Sequence, residues 1–371
     1  MAVSRDFIPI TAGDLKLGEP APFDCYGESK TLMLKAGTVV VNMHLEKLVG
    51  VGYKIDDTEP EVVSDKTPFE TLDELKNRLQ KIFVDFHEQV PPATLQGRVV
   101  KLCQDIQKLC EMDSCATLGA IHLNYGGRHT INHPIHVAII CELIAQAKEV
   151  PPVQRVSLLA AAITCNIGML KLQDVLNKQD VSPTKEQKDT IRSHPFRSVV
   201  MLMKCGVKDG TWLRTVKHHH EKLNGKGYPG ELSGDDIPLP VRILSLADIY
   251  CSLVSSRSYR SPVLAQEALR IILLKRSKEI DVPLAQLMIK SIGIYPPGTF
   301  VQLQNAEKAL VIRRSENAAA PIVKSFAAPS STYYKPPVQR DCSDKAYAIK
   351  EMIPRDKEFS LNFEMLWDYG R

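Results

Sequence analysis

Histidine is concentrated in one part of this 371-residue chain, and that concentration most constrains how the chain can fold. Eight of the ten histidines lie between positions 122 and 220. They stand in segments whose apolar residues recur every three or four positions, the spacing of amphipathic helices. A buried imidazole without a partner is costly, so a fold that packs these helices must also satisfy the histidines. The pattern predicts a helical bundle with a polar cluster inside it.

Five side chains of this region and just beyond it are of types that bind metal ions. Histidine nitrogens and carboxylate oxygens are common ligands of divalent transition metals. The candidate ligands are His133, His194, His219, His220 and Asp248. Taken singly, each also fits a hydrogen-bonded core position, as a lone polar residue in an apolar helix often does. The spacing alone leaves both a metal site and a set of packed polar residues open.

A glycine-rich loop directly follows the histidine triplet 218–220. The stretch HHEKLNGKGYPG holds three glycines and one proline among its last six residues, which is typical of a tight loop. Glycine lets a backbone approach a phosphate closely, and arginine pairs with phosphate bidentately. A turn that only ends a helix, and arginines that lie on the surface, are the alternative interpretations. The predicted phosphate-contacting residues are Gly227, Tyr228, Pro229, Arg257 and Arg260.

The residue pattern divides the chain into four parts. Residues 1–57 hold short β-like runs between glycines and predict a small β-containing N-terminal module. Residues 58–70 are polar, contain two prolines and predict a linker. Residues 71–298 follow a helical period and predict the main helical domain. Residues 299–371 return to strand-like runs, which predict a C-terminal β appendage.

Individual elements can be predicted within these parts. In the appendage, residues 299–303 and 309–312 predict a hairpin, while 315–345 is rich in Ala, Ser and Pro and is predicted as a loop. We expect Trp367 to pack back on the core. The first predicted helix begins at Glu70, and the second runs over about Pro92–Met112. The later predicted helices lie near 115–124, 131–148, 153–165, 184–204, 209–221, 237–256 and 263–277.

Charge and cysteine usage exclude several classes of protein. The 47 basic and 43 acidic side chains give a net charge of +4, and no basic stripe indicates a nucleic-acid partner. Nine cysteines without a CxxC pair favour a reducing compartment. The N-terminus lacks an apolar signal-peptide core, and the apolar runs are shorter than the ~20 residues of a membrane span. We expect a cytoplasmic protein with no membrane span.

The segment that begins at the histidine triplet resembles the signature of a known family. HHEKLNGKGYPGELSGDDIPLPVRILSLADIYCSLVSSRSYR is similar to the HD-GYP pattern HHExxDGxGYPxxLxGxxIPxxARIxxxADxYDAxxSxRxYR. Upstream, HPIHVAIICELIAQA and RSHPFRSVVML resemble two further ligand segments of that family. The resemblance implies a mainly α fold, an HD-domain helical bundle of the HD-GYP type with small β-containing N-terminal and C-terminal modules.

The resemblance also implies a chemistry. HD domains form a superfamily of metal-dependent phosphohydrolases, and HD-GYP members hydrolyse cyclic di-GMP with two or three ions, often iron or manganese. A carboxylate from the paired His-Asp bridges these ions. The metal ligands implied for this chain are His133, His194, His219, His220 and Asp248.

This sequence departs from the family where the bridging pair should stand. The family's AxLHDIGK segment corresponds to AAITCNIGM, so Cys165 and Asn166 replace the His-Asp pair and Met169 replaces the lysine. Cys165 is a further candidate ligand as a thiolate, whereas Asn166 is neutral and a weak bridge between cations. We therefore assign no catalytic residue at these positions, and we expect iron or manganese at reduced occupancy.

Three functions remain compatible with these residues. The favoured one is a degenerate HD-GYP protein of cyclic di-GMP signalling. It would be catalytically impaired and act by binding cyclic di-GMP or a related cyclic dinucleotide, or by docking a protein partner through Gly227, Tyr228 and Pro229. The alternative is an active metal-dependent cyclic di-GMP phosphodiesterase with an altered metal site. The third is a scaffolding protein whose histidines only pack the core.

Overall fold

The computed structural model describes residues 7–11, 13–27, 29, 31–55, 66–88, 92–123, 127–255, 262–355 and 363–369. Contacts between Cα atoms separate the chain into two compact units, Met1–Asp65 and Lys66–Arg371. The division falls inside the stretch that the sequence predicts as a linker.

The N-terminal unit is a small antiparallel sheet with one helix against it. Its core is formed by apolar side chains such as Ile10, Cys25, Val40 and Leu48, each at most 1% exposed. The strand order is β1-β4-β2-β3. The elements are β1 (Phe7–Pro9), β2 (Cys25–Tyr26), β3 (Leu32–Leu34), α1 (Asn42–Leu48) and β4 (Tyr53–Ile55). The helix α1 is an element that sequence periodicity did not predict.

The second unit is a helical bundle followed by a sheet, which confirms the predicted fold class. Its helices are α2 (Pro68–Glu88), α3 (Pro92–Met112), α4 (Ser114–Leu123), α5 (His129–Ala147), α6 (Pro152–Thr164), α7 (Leu170–Leu176), α8 (Lys185–Lys204), α9 (Gly210–His218), α10 (Leu239–Val254), α11 (Ala265–Arg270), α12 (Val282–Ile292) and α13 (Phe363–Leu366). The short α7 and α12 were not predicted. Helix α2 begins inside the predicted linker because Thr67 and Glu70 cap its N-terminus reciprocally.

Helix α5 lies at the centre of the bundle. Almost every side chain from Ile131 to Ala145 is buried, since α5 packs against α6, α10, α12 and α3. A helix that is apolar on all sides belongs in a core, because no face of it suits water. The ligand candidate His133 is therefore carried into the interior by a helix that is buried along most of its length.

Helix α6 and its continuation form a long apolar stretch. By length and composition, Pro152–Leu176 would suffice to cross a membrane. In the structure 67% of its most apolar window is buried, and α6 packs against α5, α9 and α3. Its apolar character is accounted for by this packing inside the domain.

The C-terminal segment forms a five-stranded antiparallel sheet in the order β8-β7-β6-β5-β9. The strands are β5 (Phe300–Leu303), β6 (Lys308–Arg313), β7 (Ile322–Ala327), β8 (Tyr333–Asp341) and β9 (Ile349–Ile353). The predicted β5–β6 hairpin is confirmed, but the prediction of a loop over 315–345 is wrong. The region was predicted as a loop because Pro336 and Pro337 interrupt the pattern of β8. The strand tolerates these prolines because it lies at the edge of the sheet. Trp367 packs on α4, as expected.

A buried ion pair joins three helices of the bundle. The carboxylate of Glu142 on α5 is fully buried and lies 2.9 Å from Nε of Arg155 on α6. Gln107 of α3 and Gln146 donate to the same carboxylate at 3.4 and 2.9 Å. Burial raises the pKa of Glu142, and the guanidinium of Arg155 opposes that rise. The pair is thus stable only while both partners are present.

We expect Arg155→Met to lower the free energy of unfolding by about 3–5 kcal/mol, because it leaves the buried carboxylate of Glu142 uncompensated. Urea denaturation followed by circular dichroism measures the loss. The matched control is Arg78→Met, which breaks a 2.7 Å pair with Asp105 in which the arginine is 40% exposed. That change should cost less than about 1 kcal/mol. Equal losses in the two variants would contradict the assignment.

Candidate metal centre

Two histidines from neighbouring helices point their Nε2 atoms at each other. His194 lies in α8 and His219 directly follows α9, and the two Nε2 atoms are 3.2 Å apart. Each ring contacts a backbone carbonyl through Nδ1, His194 that of Ile191 at 2.5 Å and His219 that of Val216 at 2.7 Å. A carbonyl only accepts, so each Nδ1 carries the hydrogen and each neutral Nε2 presents a lone pair.

Two facing lone pairs at this distance would be stabilised by a cation between or beside them. Burial lowers the pKa of His194 to about 3 and also lowers that of His219, so both rings are neutral near pH 7. Ligand nitrogens about 2.1 Å from one ion, at tetrahedral or octahedral angles, lie about 3.0–3.4 Å apart. The observed separation matches that range, and Nδ1–H donated to a carbonyl is the usual second contact of a metal-bound histidine.

His220 completes the cluster. Each of the three histidines His194, His219 and His220 offers one ring nitrogen, and these three atoms lie within 4.8 Å of one another. The His220 ring is 4.0 Å from that of His219, centroid to centroid, and stacks on Tyr228 at 4.8 Å. Burial lowers the pKa of His220 as well, so it too offers a neutral nitrogen. Three imidazoles, one from the middle of α8 and two from the end of α9, therefore fit one divalent ion.

The other two predicted ligands form a second pair. His133 of α5 is 3% exposed, and its Nε2 lies 2.8 Å from Oδ1 of Asp248 on α10. Burial opposes ionisation of Asp248, but the hydrogen bond from His133 and the electrostatic interactions with His133, His220 and His219 together outweigh it and lower the pKa. The carboxylate also acts electrostatically on His194, His219 and His220. Asp248 thus links the pair to the three-histidine cluster and is its anionic member.

The segment of Cys165, Asn166 and Met169 packs on the helix that carries His194. Ser198 of α8 donates to the carbonyl of Cys165 at 2.7 Å and accepts from the amide of Gly168 at 2.9 Å. A Cβ at Gly168 would lie 2.8 Å from the carbonyl oxygen of His194, so only glycine permits this approach. The local sequence gave no role to Ser198, although its i,i+4 spacing from His194 placed both on one face.

Within this segment, the two substituted side chains are buried. The Cys165 thiol donates to the carbonyl of Ala162 at 3.5 Å. Burial, and to a smaller extent the negative charge of Asp248, raises the pKa of this thiol, so the thiol is protonated here. Oδ1 of Asn166 is buried, and no hydrogen-bond partner for it lies in the described part of the chain. Met169 is half-buried and its amide donates to the carbonyl of Asn166. The two residues that stand at the position of the His-Asp pair thus offer a thiol, from Cys165, and a neutral amide, from Asn166.

The glycine-rich loop is held in place by Glu221. Its buried carboxylate accepts from the amides of Gly230 at 2.6 Å and Leu232 at 3.1 Å. A Cβ at Gly227 would come within 2.4 Å of the Cα of Glu221, so the loop can fold back only with glycine there. The amide of Tyr228 donates to the carbonyl of His220, and the loop therefore uses several of its amides internally.

The structure brings some of the predicted phosphate-contacting residues together and does not describe others. Tyr228 lies against the histidine cluster, with Gly227 and Pro229 beside it in the loop. Arg257 and Arg260 lie outside the described residues. The role predicted for all five as phosphate contacts stays a prediction.

Another buried histidine, His122 of α4, ties the C-terminal segment to helix α10. Nδ1 of His122 lies 2.9 Å from the carbonyl of Pro297, and its Nε2 lies 2.8 Å from the hydroxyl of Tyr250. Tyr250 is two residues beyond Asp248 on α10. Burial lowers the pKa of His122 to about 4. The neutral ring donates to the carbonyl and accepts from the hydroxyl, which fastens α10 to the segment before the sheet.

Comparison with known proteins agrees with this arrangement. The HD domain family model matches residues 119–284, which contain every candidate ligand. A solved HDG"Y"P protein of Bdellovibrio bacteriovorus covers 77% of this chain and 99% of its own, with a TM-score of 0.50 at 16% identity, and so shares its fold. The fold and the site define an HD-domain protein.

Curated relatives narrow the family further. A cyclic di-GMP phosphodiesterase of Pseudomonas aeruginosa is 27% identical over 213 residues, 57% of this chain and 51% of the relative. A 3'3'-cGAMP-specific phosphodiesterase of Vibrio cholerae is 29% identical over 45% of this chain and 36% of its own length. The chain thus spans about half the length, or less, of these relatives. Residues 119–284 form an HD domain, and the similarity to these proteins supports membership of the HD-GYP family.

We expect Glu221→Gln to loosen the glycine-rich loop. An amide offers one acceptor oxygen, and its NH2 group would face one of the two donors at Gly230 and Leu232. A buried donor left without a partner costs about 1–3 kcal/mol, so hydrogen exchange at these two amides should quicken about 10–100-fold. Glu231→Gln removes the same charge from an exposed position in the loop and should leave exchange unchanged. Equal protection in both variants would contradict the anchoring role.

We also expect His122 to make stability depend on pH. Its pKa is about 4 in the folded chain against 6.5 for an unperturbed histidine, so the unfolded chain binds more protons between these values. The free energy of unfolding should therefore fall as the pH drops from about 6.5 to about 4, and this residue contributes up to about 3 kcal/mol. Urea titrations across that range measure the slope. In His122→Gln the slope should be shallower, and an unchanged slope would show that His122 does not contribute.

Proposed function

We propose that this chain is a cyclic dinucleotide-binding HD-GYP protein that holds a divalent metal ion and hydrolyses its ligand poorly or not at all. The observation that carries the proposal is the pair of buried Nε2 atoms of His194 and His219, 3.2 Å apart with both Nδ1 atoms hydrogen-bonded to carbonyls. Such a pair is stabilised by a shared cation. Cyclic di-GMP or a related cyclic dinucleotide is the ligand that the activities of the relatives support.

The metal would be held by His194, His219 and His220, with Asp248 as the anionic neighbour. A bound divalent ion supplies Lewis-acid polarisation of a phosphodiester and neutralises its charge. Iron or manganese suits this mixed set of nitrogen and carboxylate donors. His133 would join the site once its Nε2 releases the proton now given to Asp248, since a metal ligand must be deprotonated.

Impaired hydrolysis follows from the residues at the position of the His-Asp pair. Asn166 contributes no negative charge, so a second cation there would be repelled by the first without compensation. The buried thiol of Cys165 is a poorer ligand than the imidazole it replaces until it loses its proton. Met169 brings no cation to the phosphate. The residues that bind one ion remain, whereas those that would pair it with a second are altered.

Two properties accompany this proposal. The loop residues Gly227, Tyr228 and Pro229 line the histidine cluster from one side, where they would contact the nucleotide or, in its absence, a protein partner. A cytoplasmic location fits a cyclic dinucleotide ligand and nine free cysteines, of which eight are buried.

The test is turnover of cyclic di-GMP, followed by chromatography, on protein purified without oxygen and reloaded with manganese or iron. We expect about one ion per chain or less, binding of cyclic di-GMP, and no turnover. Restoring the pair with Cys165→His and Asn166→Asp together should raise turnover to at least about 10-fold above the detection limit that the parent does not reach, because the bridging carboxylate returns. His194→Ala should remove the metal from both backgrounds.

The outcomes separate the possible functions. Turnover by the parent chain that depends on His219 would show an active phosphodiesterase with an altered metal site instead. Metal binding without any cyclic dinucleotide binding would contradict the proposed ligand and would leave docking of a protein partner as the remaining function. Neither metal nor dinucleotide binding, read as no rise in melting temperature with either, would overturn the proposal and favour a scaffold.

A further inference from the structure

An arginine that the signature motif does not include stands beside the histidine cluster. Arg192 lies on α8, two residues before His194, and its side chain is exposed. The guanidinium carbon lies 5.8 Å from the centroid of the Tyr228 ring, over its face. The same ring stacks on His220 at 4.8 Å. One aromatic side chain therefore separates the guanidinium of Arg192 from the three-histidine cluster.

Within the part of the chain that the structure describes, no carboxylate neutralises Arg192, in contrast to two other cations near this site. Within the described ranges, no ion pair or hydrogen bond engages its guanidinium. By contrast, Lys222 of the loop pairs with Glu279 at 3.1 Å, and Arg242 of α10 pairs with Asp281 at 3.0 Å. A guanidinium held over an aromatic face keeps all its donors free for an anion.

The proposed ligand needs such a cation. A cyclic dinucleotide carries two phosphodiesters, each with one negative charge. The histidine cluster with its ion would neutralise one of them, and Met169 stands where the family pattern has a lysine. Guanidinium binds phosphate through two parallel hydrogen bonds, which a lysine cannot supply. The contact with Tyr228 restricts the guanidinium beforehand, so less entropy is lost on binding.

We propose that Arg192 binds a phosphodiester of the cyclic dinucleotide and supplies the cation that Met169 does not. The assignment rests on the proposed function. It makes Tyr228 a platform with two contacts, the His220 ring and the Arg192 guanidinium, and it makes α8 the source of both a metal ligand and a phosphate ligand. Arg192 binds and orients the ligand without acting as a proton donor or nucleophile.

The test is calorimetric titration of the manganese-loaded full chain with cyclic di-GMP. Arg192→Ala should weaken binding about 10–100-fold, the loss typical of hydrogen bonds to a charged group. Arg192→Lys should recover only part of the affinity, because it restores the charge without the planar fork. The matched control is Lys204→Ala, an exposed lysine on the same helix about 18 Å further along. It removes the same charge and should change the affinity less than about 2-fold.

A parallel titration with inorganic pyrophosphate separates this inference from the proposed function. If cyclic di-GMP binds the parent and Arg192→Ala equally well, the role of Arg192 is wrong while the function stands. If only pyrophosphate binds, and Arg192→Ala abolishes that binding, the anion site stands and the dinucleotide function is wrong. If neither ligand binds the parent, both proposals are overturned. Circular dichroism of each variant confirms that the exposed substitutions leave the fold intact.

Discussion

The meeting of two neutral imidazoles, one from the middle of α8 and one from the end of α9, is the interaction on which the site depends. The Nε2 atoms of His194 and His219 face each other across 3.2 Å, and their Nδ1 hydrogens are committed to backbone carbonyls. Neither ring can donate to the other, and burial disfavours the protonation that would relieve the contact. The protein therefore holds two lone pairs in a position that a cation stabilises. Helix α8 must lie against the end of α9 for this to occur, so the geometry of the site depends directly on how these two helices pack.

Side chains that touch no candidate ligand atom hold this arrangement together. Ser198 fastens the Cys165 turn to α8, and Glu221 fastens the glycine-rich loop beneath His220. Gly168 and Gly227 are required by close backbone approach on these same two contacts. The loop and the turn are thus positioned by buried hydrogen bonds, and the residues changed from the family pattern, Cys165 and Asn166, stand in a segment whose backbone contacts with α8 are intact. An altered charge in a preserved frame is consistent with the proposal of a protein that binds its ligand without efficient hydrolysis.

Much of the fold followed from local pattern. The helical period placed α5, α6, α8 and α10 within a few residues of where they lie, and the signature motif indicated the HD domain that the comparisons confirm. Elements with weak local signals were missed. Strands β7 and β8 were predicted as a loop because serine and proline interrupt their apolar residues, yet β8 needs no central pairing since it lies at the sheet edge. Helix α12 was missed although Asp281 caps its N-terminus and donors within its first turn are satisfied there.

The sequence by itself determined the helical domain, the candidate ligands and the absence of a carboxylate at Asn166, because these depend on residue type and on spacing along one chain segment. Only the tertiary structure decided which nitrogens meet, that Asp248 is hydrogen-bonded to His133, and that the guanidinium of Arg192 lies over Tyr228. His194 and His219 are 25 positions apart in the sequence, and His133 and Asp248 are 115 positions apart. Their approach is set by how the faces of different helices pack together, which no local period encodes.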